Sequence, residues 1–234
     1  MNQRCLSRTS GAPGLGAAFF FLFYALAAPA SALAAVFLSE VYYDAPGSDD
    51  GAVFVELAGP AGFVLDGWVV EGVNGSNGAV GPSIVLDGAI GSGGLFVLAD
   101  RISDGTTTVA NASQLANFDF QNGPDSVVLR DSAAQVRDAL GYGVFAPDEV
   151  FAGEGAAAPD GAAGESLARR FANVDTDDNA ADYVLGTPSP GAAPFAVVPE
   201  PGAALLLGLG LAGLARVEPR AGSSRRADGS AMGR

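Results

Sequence analysis

Short apolar runs separated by turn residues make up the middle of this chain. Eight such runs, rich in valine, leucine and aromatic residues, follow one another between positions 36 and 171. They predict β-strands at residues 36–43, 52–57, 68–72, 83–86, 95–99, 126–130, 136–142 and 166–171. Pairs such as Pro46-Gly47, Asn74-Gly75 and Asn77-Gly78 lie between the runs and predict turns.

The spacing of these strands indicates how they are connected. No ten-residue stretch with helical periodicity lies between them, so crossover helices and a parallel sheet are not expected. Many short strands joined by turns are typical of two packed sheets. The pattern therefore predicts an all-β domain, a β-sandwich, over residues 35–194, with Trp68 as a core residue and residues 143–164 as a long loop.

The first 34 residues have the order of parts found in a secretory signal peptide. Arg4 and Arg8 precede an apolar run at residues 15–28, and small residues near Ala32 and Ala34 fit a signal-peptidase site. The run is short for a membrane span, so an uncleaved anchor is the weaker alternative. We expect cleavage after Ala34 or Ala32.

The last 40 residues, 195–234, carry a second targeting pattern. An apolar run at residues 202–215 is followed by a basic tail that begins at Arg216. The run is preceded by Val198, Pro199, Glu200 and Pro201. This order of motif, apolar helix and arginines resembles the PEP-CTERM sorting signal. The resemblance implies recognition by a membrane exosortase, with the apolar run held in the bilayer and the arginines on the cytoplasmic side.

A helix inside a folded core is the alternative for the run at residues 202–215. Fourteen residues form a helix of about 21 Å, whereas the hydrocarbon core of a bilayer is about 30 Å thick. However, its glycines would weaken a helix in water, and the run has no polar face. The sorting signal is therefore the favoured interpretation.

The composition removes several kinds of chemistry. The chain has no histidine and no lysine, and its one cysteine, Cys5, lies in the leader. A Ser-His-Asp triad, a Cys-His dyad, a lysine Schiff base and a histidine-containing zinc site are therefore excluded. Between leader and tail, five arginines accompany 24 acidic residues, a net charge of −19 that repels nucleic acid. Carboxylate chemistry and calcium binding through oxygen ligands remain.

The middle region also carries an ordered series of motifs. They are SEVYYD (39–44), GAVFVEL (51–57), LDGWVV (65–70), GLFVLAD (94–100), DSVVLRD (125–131), VRDALGYG (136–143), GESLARR (164–170) and DTDDNAADYVLGTPSPGAA (175–193). In this order they resemble the lamin tail domain family. The resemblance implies an immunoglobulin-like β-sandwich, which in secreted bacterial proteins often accompanies nucleases or other enzymes. No such enzyme is recognised in this sequence, so the resemblance implies no activity here.

Four carboxylates crowd one short segment, at Asp175, Asp177, Asp178 and Asp182. Calcium takes six to eight oxygen ligands, and the spacing D-x-D-x-N matches the start of an EF-hand loop, though without its later glycine and glutamate. An Asx-turn, in which such side chains bond nearby backbone amides, is the alternative. The sequence leaves both open, and it suggests no other cofactor.

These features predict an exported bacterial protein of the cell surface or extracellular matrix with no catalytic role, held at the inner membrane by its C-terminal apolar helix until it is processed. Its expected partners are signal peptidase, an exosortase, the membrane before processing, and exopolysaccharide or surface proteins, but not nucleic acid. The alternative is a metal-dependent hydrolase, or an accessory module of a secreted nuclease or glycan-degrading enzyme.

Overall fold

The computed structural model describes residues 35–196. The predicted cleavage sites at Ala32 and Ala34 lie outside these residues, as do the apolar runs at 15–28 and 202–215 and the motif Val198, Pro199, Glu200 and Pro201. Within residues 35–196, no helix is long and apolar enough to cross a membrane.

Ten strands and one short helix make up the described part of the chain. They are β1 (Phe37–Tyr42), β2 (Phe54–Ala58), β3 (Val69–Asn74), β4 (Val80–Val85), β5 (Leu95–Asp100), β6 (Gln114–Ala116), β7 (Asp125–Arg130), β8 (Val136–Tyr142), β9 (Ser166–Arg169), α1 (Asn179–Asp182) and β10 (Tyr183–Gly186).

The strands form two sheets. The larger sheet has the order β10-β9-β1-β2-β5-β6, and the smaller has the order β4-β3-β7-β8. Neighbouring strands are antiparallel, except that β6 runs parallel to β5. The predicted all-β sandwich is therefore confirmed.

One hydrophobic core joins the two sheets. Val55 and Leu98 of the larger sheet belong to the same buried cluster as Val70 and Leu140 of the smaller one. Trp68 is part of this cluster and is 8% exposed, as the sequence predicts for a core residue. Burial of large apolar side chains from both sheets is the main force that holds the layers together.

All eight predicted strands are present, with ends that differ by no more than three residues. The parallel strand β6 and the last strand, β10, were not predicted, and neither was α1. Strands of three or four residues are too short to show an alternating pattern of their own. Pairing with β5 and β9 makes these segments strands.

The predicted long loop at residues 143–164 packs closely against the smaller sheet. The Val150 amide donates to the carbonyl of Gly75 over 2.7 Å, and Ala158 forms a parallel bridge with Tyr142. The ring of Phe151 lies where a side chain at Gly141 would be, so the loop approaches β8 at a position that only glycine allows. The loop is therefore part of the packed domain.

The carboxamide of Asn179, at the start of α1, ties this loop to β8. Its Oδ1 accepts from the Gly141 amide over 2.8 Å and from the Glu154 amide over 2.9 Å. Its Nδ2 donates to the carbonyl of Ala139 over 2.8 Å. Asn179 is completely buried, so no water can replace these bonds if they are lost.

We predict that Asn179→Ala lowers the free energy of unfolding by about 3 kcal/mol, because it leaves two amides and a carbonyl buried without partners. Asn77→Ala is the matched control, since Asn77 lies in an exposed turn and its side chain bonds only the Ala79 amide. Denaturant melts of both variants measure the difference. Equal losses in the two variants would contradict the role assigned to Asn179.

Candidate functional site

A buried arginine at the end of β9 is bonded to several carboxylates. The Arg169 side chain is 0% exposed. Its Nη2 donates to both carboxylate oxygens of Asp138, on β8, over 2.8 and 2.9 Å. Its Nη1 donates to Asp182 over 2.7 Å and to Asp175 over 3.1 Å, and its Nε donates to the carbonyl of Leu38 over 3.0 Å.

Aromatic rings enclose this guanidinium group. The Tyr183 ring centre lies 4.7 Å from Arg169 Cζ, and the Phe37 ring centre lies 5.6 Å from it. The Tyr183 hydroxyl donates to the Leu38 carbonyl over 2.7 Å. Ring faces attract a cation most strongly where water is excluded, so the rings add to the attraction of the carboxylates.

Three carboxylates lie close together beside this arginine. Oxygens of Asp138, Glu154 and Asp175 are all within 4.8 Å of one another. We call these three residues the carboxylate cluster. Its members come from β8, from the loop at residues 143–164 and from the segment before α1. Together with Asp182, four carboxylates surround the single positive charge of Arg169.

Burial and the repulsion between carboxylates raise the pKa of two members of this cluster. Burial raises the pKa of Glu154 to about 8, and the negative charges of Asp138 and Asp175 add to that increase. Burial also raises the pKa of Asp138 to about 6, against the lowering effect of Arg169. Glu154 Oε2 is buried and has no hydrogen-bond partner within residues 35–196. A proton or a cation at Glu154 would relieve the excess negative charge.

The four aspartates predicted as calcium ligands have separate roles in the structure. Asp175 and Asp182 bond Arg169, and Asp182 also accepts from the amide and the hydroxyl of Thr176. Asp178 caps α1 by accepting from the Ala180 amide over 3.1 Å. Of the four, Asp175 alone belongs to the carboxylate cluster.

Asx-type bonds are present in this segment. The Asp177 amide donates to Asp175 Oδ1 over 3.1 Å, and Asp177 itself is exposed with a φ of 54°. These contacts fit the Asx-turn alternative. Calcium binding stays a prediction, and the geometry favours Asp138, Glu154 and Asp175 over the set that the sequence indicated.

No motif in the sequence marks Asp138, Glu154 or Arg169 as members of one site, because they are separated by 16 and 15 residues. Only a weaker signal for this site is present in the sequence. Arg169 ends a strand whose other residues are Ser166, Leu167 and Ala168, and a charge at the end of a buried strand needs a partner. Which carboxylate supplies it depends on how the sheets pack.

A second pair of buried carboxylates lies on the larger sheet. Glu40 on β1 is the cross-strand partner of Glu56 on β2. Glu56 accepts from the Ser39 hydroxyl and from the Gly191 amide, both over 2.6 Å, and burial raises its pKa. Glu40 accepts from the Ser189 amide over 2.9 Å and from its hydroxyl over 2.8 Å.

These bonds fasten residues 187–196, which we call the strap, across the larger sheet. Neither Arg130 nor Arg169 pairs with Glu56, because Arg130 pairs with Glu71 over 2.7 Å and Arg169 bonds the carboxylates described above. The bond that Glu56 accepts from the Gly191 amide helps to hold the strap in place.

A cleft lies beside β3. It encloses about 170 Å³ and is lined by Gly72, Pro82, Asp119 and Phe120, among others. Pockets for small molecules usually enclose about 300–1,000 Å³. Phe120 is buried in the core and offers no open ring face. The cleft is therefore a weaker candidate site than the carboxylate cluster.

We predict that Glu154→Gln makes stability less dependent on pH. A carboxyl whose folded pKa is raised binds its proton more tightly when folded, so its contribution is present at low pH and is lost as the pH rises from about 4.5 to about 8. The variant should therefore be more stable than the native chain at pH 8, by on the order of 1 kcal/mol because solvent screens a partly exposed group.

Denaturant melts between pH 4 and pH 9 measure this effect. Asp148→Asn, an exposed carboxylate of the same loop, is the control and should follow the native curve. A Glu154→Gln variant whose stability falls with pH as steeply as that of the native chain would contradict the assignment.

We predict that calcium stabilises the domain through the carboxylate cluster. A ligand that binds only the folded state adds about 2.7 kcal/mol at a hundredfold excess over Kd, which is a rise in Tm of roughly 5–10 °C for a domain of this size. Thermal melts in EDTA, in calcium and in sodium at matched ionic strength measure it. Glu154→Gln should abolish the calcium effect, and Asp177→Asn with Asp178→Asn should keep it.

If Asp177→Asn with Asp178→Asn abolishes the calcium effect and Glu154→Gln keeps it, the ion is bound by the aspartates of the sequence motif. A calcium effect no larger than that of sodium would contradict calcium binding. The aspartate-rich segment at residues 175–182 would then be an Asx-turn only.

Comparisons with protein-family models, with curated proteins and with solved structures found no match to this chain.

Proposed function

We propose that this chain is an exported, non-catalytic protein of the bacterial surface or extracellular matrix. Residues 1–34 act as a signal peptide and residues 195–234 as a sorting tail that an exosortase processes. Between them lies an immunoglobulin-like domain of the lamin tail type, which serves as a binding or structural module.

The observation that carries the non-catalytic assignment is how the domain uses its buried charges. Arg169 and Asp138 bond each other, while Glu40 and Glu56 bond serine hydroxyls and the strap. Acid–base catalysis needs a titratable group within hydrogen-bond reach of a substrate. These four buried groups are instead committed to contacts that hold the fold together.

The position of the motifs supports a module of the lamin tail type. SEVYYD coincides with β1, GLFVLAD with β5, DSVVLRD with β7 and VRDALGYG with β8. The long final motif contains α1, β10 and most of the strap. These motifs therefore lie largely on strands of the sandwich and on the strap.

The acidic surface supports a role outside the cell. Over most of the domain, this surface disfavours contact with nucleic acid and anionic lipid. Acidic side chains far outnumber the five arginines of residues 35–196, and one of those arginines is buried. A negative field of this kind repels polyanions and keeps a secreted protein soluble. Exopolysaccharide and surface proteins are the proposed partners.

A metal-dependent hydrolase, or an accessory module of one, is the second candidate function. The carboxylate cluster favours it, because grouped carboxylates with a raised pKa are typical of metal-assisted and acid–base chemistry. A panel of glycan and nucleotide substrates with and without calcium separates the two candidates. Turnover that disappears in Glu154→Gln or in Asp177→Asn with Asp178→Asn would overturn the non-catalytic proposal.

We predict that Glu200→Ala leaves the precursor in the inner membrane, because the sorting enzyme is proposed to recognise the Pro199-Glu200-Pro201 segment. Glu218→Ala, a carboxylate of the basic tail, is the matched control and should be processed normally. Cell fractionation and mass spectrometry of the released protein measure processing. Release of the Glu200→Ala variant at the native rate would refute the exosortase assignment.

A further inference from the structure

Both ends of the described domain emerge at the same end of the sandwich. The Gly59 amide, just after β2, donates to the Gly94 carbonyl, just before β5, over 2.9 Å. A Cβ atom placed on Gly59 would lie 3.6 Å from the Ala35 carbonyl oxygen, and one on Gly94 would lie 3.2 Å from the Phe195 ring. The first described residue and the end of the strap therefore lie together. We call this region the exit end.

The strap is held to the fold up to its last described residue. The Ala172 amide donates to the Pro194 carbonyl over 2.7 Å. The Asn173 side chain accepts from the Ala196 amide over 2.7 Å and donates to the Ala196 carbonyl over 3.0 Å. The chain therefore leaves the domain from a fixed point at Ala196.

The apolar run begins at Gly202, only six residues after that point. Six extended residues span at most about 20 Å. A domain of this length has a radius of gyration near 15 Å, which corresponds to a diameter of about 40 Å. The chain between Ala196 and Gly202 reaches at most about half of this diameter, so it cannot pass along the side of the domain. The domain therefore cannot turn its opposite end toward Gly202.

The exit end also presents apolar and basic side chains to solvent. Phe171 is 48% exposed and Phe195 is 40% exposed, on the two segments that the bond between Ala172 and Pro194 joins. Arg170, next to Phe171, is exposed as well. Exposed aromatic rings beside an arginine are typical of surfaces that rest in the headgroup region of a bilayer.

The end of the sandwich opposite the exit end contains the ends of β1 and β8. Tyr43, which follows β1, stacks on Tyr142 at the end of β8, with ring centres 4.3 Å apart. Val144 lies two residues beyond Tyr142 and is 86% exposed. It is therefore an exposed apolar position that the short tether keeps away from the membrane.

We propose that the exit end faces the bilayer while the chain is held at the membrane, with Phe171 and Phe195 in contact with the lipid headgroup region. This inference rests on the proposed insertion of residues 202–215. It adds an orientation and a lipid-contacting surface, which no motif of the sequence indicates.

Site-specific quenching in membranes tests this orientation. Residues 35–234, the chain that remains after the proposed cleavage and that contains no cysteine, are reconstituted into vesicles of phosphatidylethanolamine and phosphatidylglycerol that contain headgroup-nitroxide lipid. A single environment-sensitive fluorophore is attached at Phe171→Cys, or at Val144→Cys as the matched control. Both positions are exposed, so labelling should leave the fold intact. We expect the label at residue 171 to lose most of its emission and the label at residue 144 to keep it.

Two outcomes overturn the inference in distinguishable ways. If the chain resists extraction by alkaline carbonate but the two labels are quenched equally, the orientation is wrong and the proposed anchorage stands. If carbonate extracts the chain, the proposed insertion fails and the inference fails with it.

Discussion

The pairing of Arg169 with Asp138 holds the two sheets together at one corner of the sandwich. Arg169 belongs to the larger sheet and Asp138 to the smaller, and both are fully buried. Asp138 also accepts from the Leu38 amide over 2.6 Å, and Arg169 donates to the Leu38 carbonyl. Removing one partner of such a pair typically costs about 3–5 kcal/mol, because the other charge is left in the interior. The alignment of β1, β8 and β9 therefore depends on this contact.

The same pair determines the chemistry of its surroundings. One arginine attracts Asp175 and Asp182 as well as Asp138, and the loop that Asn179 fixes adds Glu154. Burial raises the pKa of Glu154 to about 8, and the carboxylates that outnumber this positive charge add to the increase. A contact that stabilises the fold therefore lies beside a carboxyl group whose pKa is raised toward neutral pH.

Glu40 and Glu56 hold the strap against the larger sheet, just as Asp138 holds the two sheets together. Their carboxylates fix Ser189 and Gly191 across the larger sheet, and Asn173 fixes Ala196. The path of the chain is therefore set until shortly before the apolar run. A domain fastened in this way releases the chain from a defined end of the sandwich.

The sequence by itself determined the β-sandwich, since alternating and apolar runs between Gly, Pro and Asn turns have few other stable solutions. It also placed Trp68 in the core and located the aspartate-rich segment before β10. Only the tertiary structure decided that β6 and β10 are strands, because their pairing partners are remote in sequence. It alone also brought Asp138, Glu154 and Arg169 together, because the partner of a buried charge is selected by the packing of the sheets and not by its neighbours along the chain.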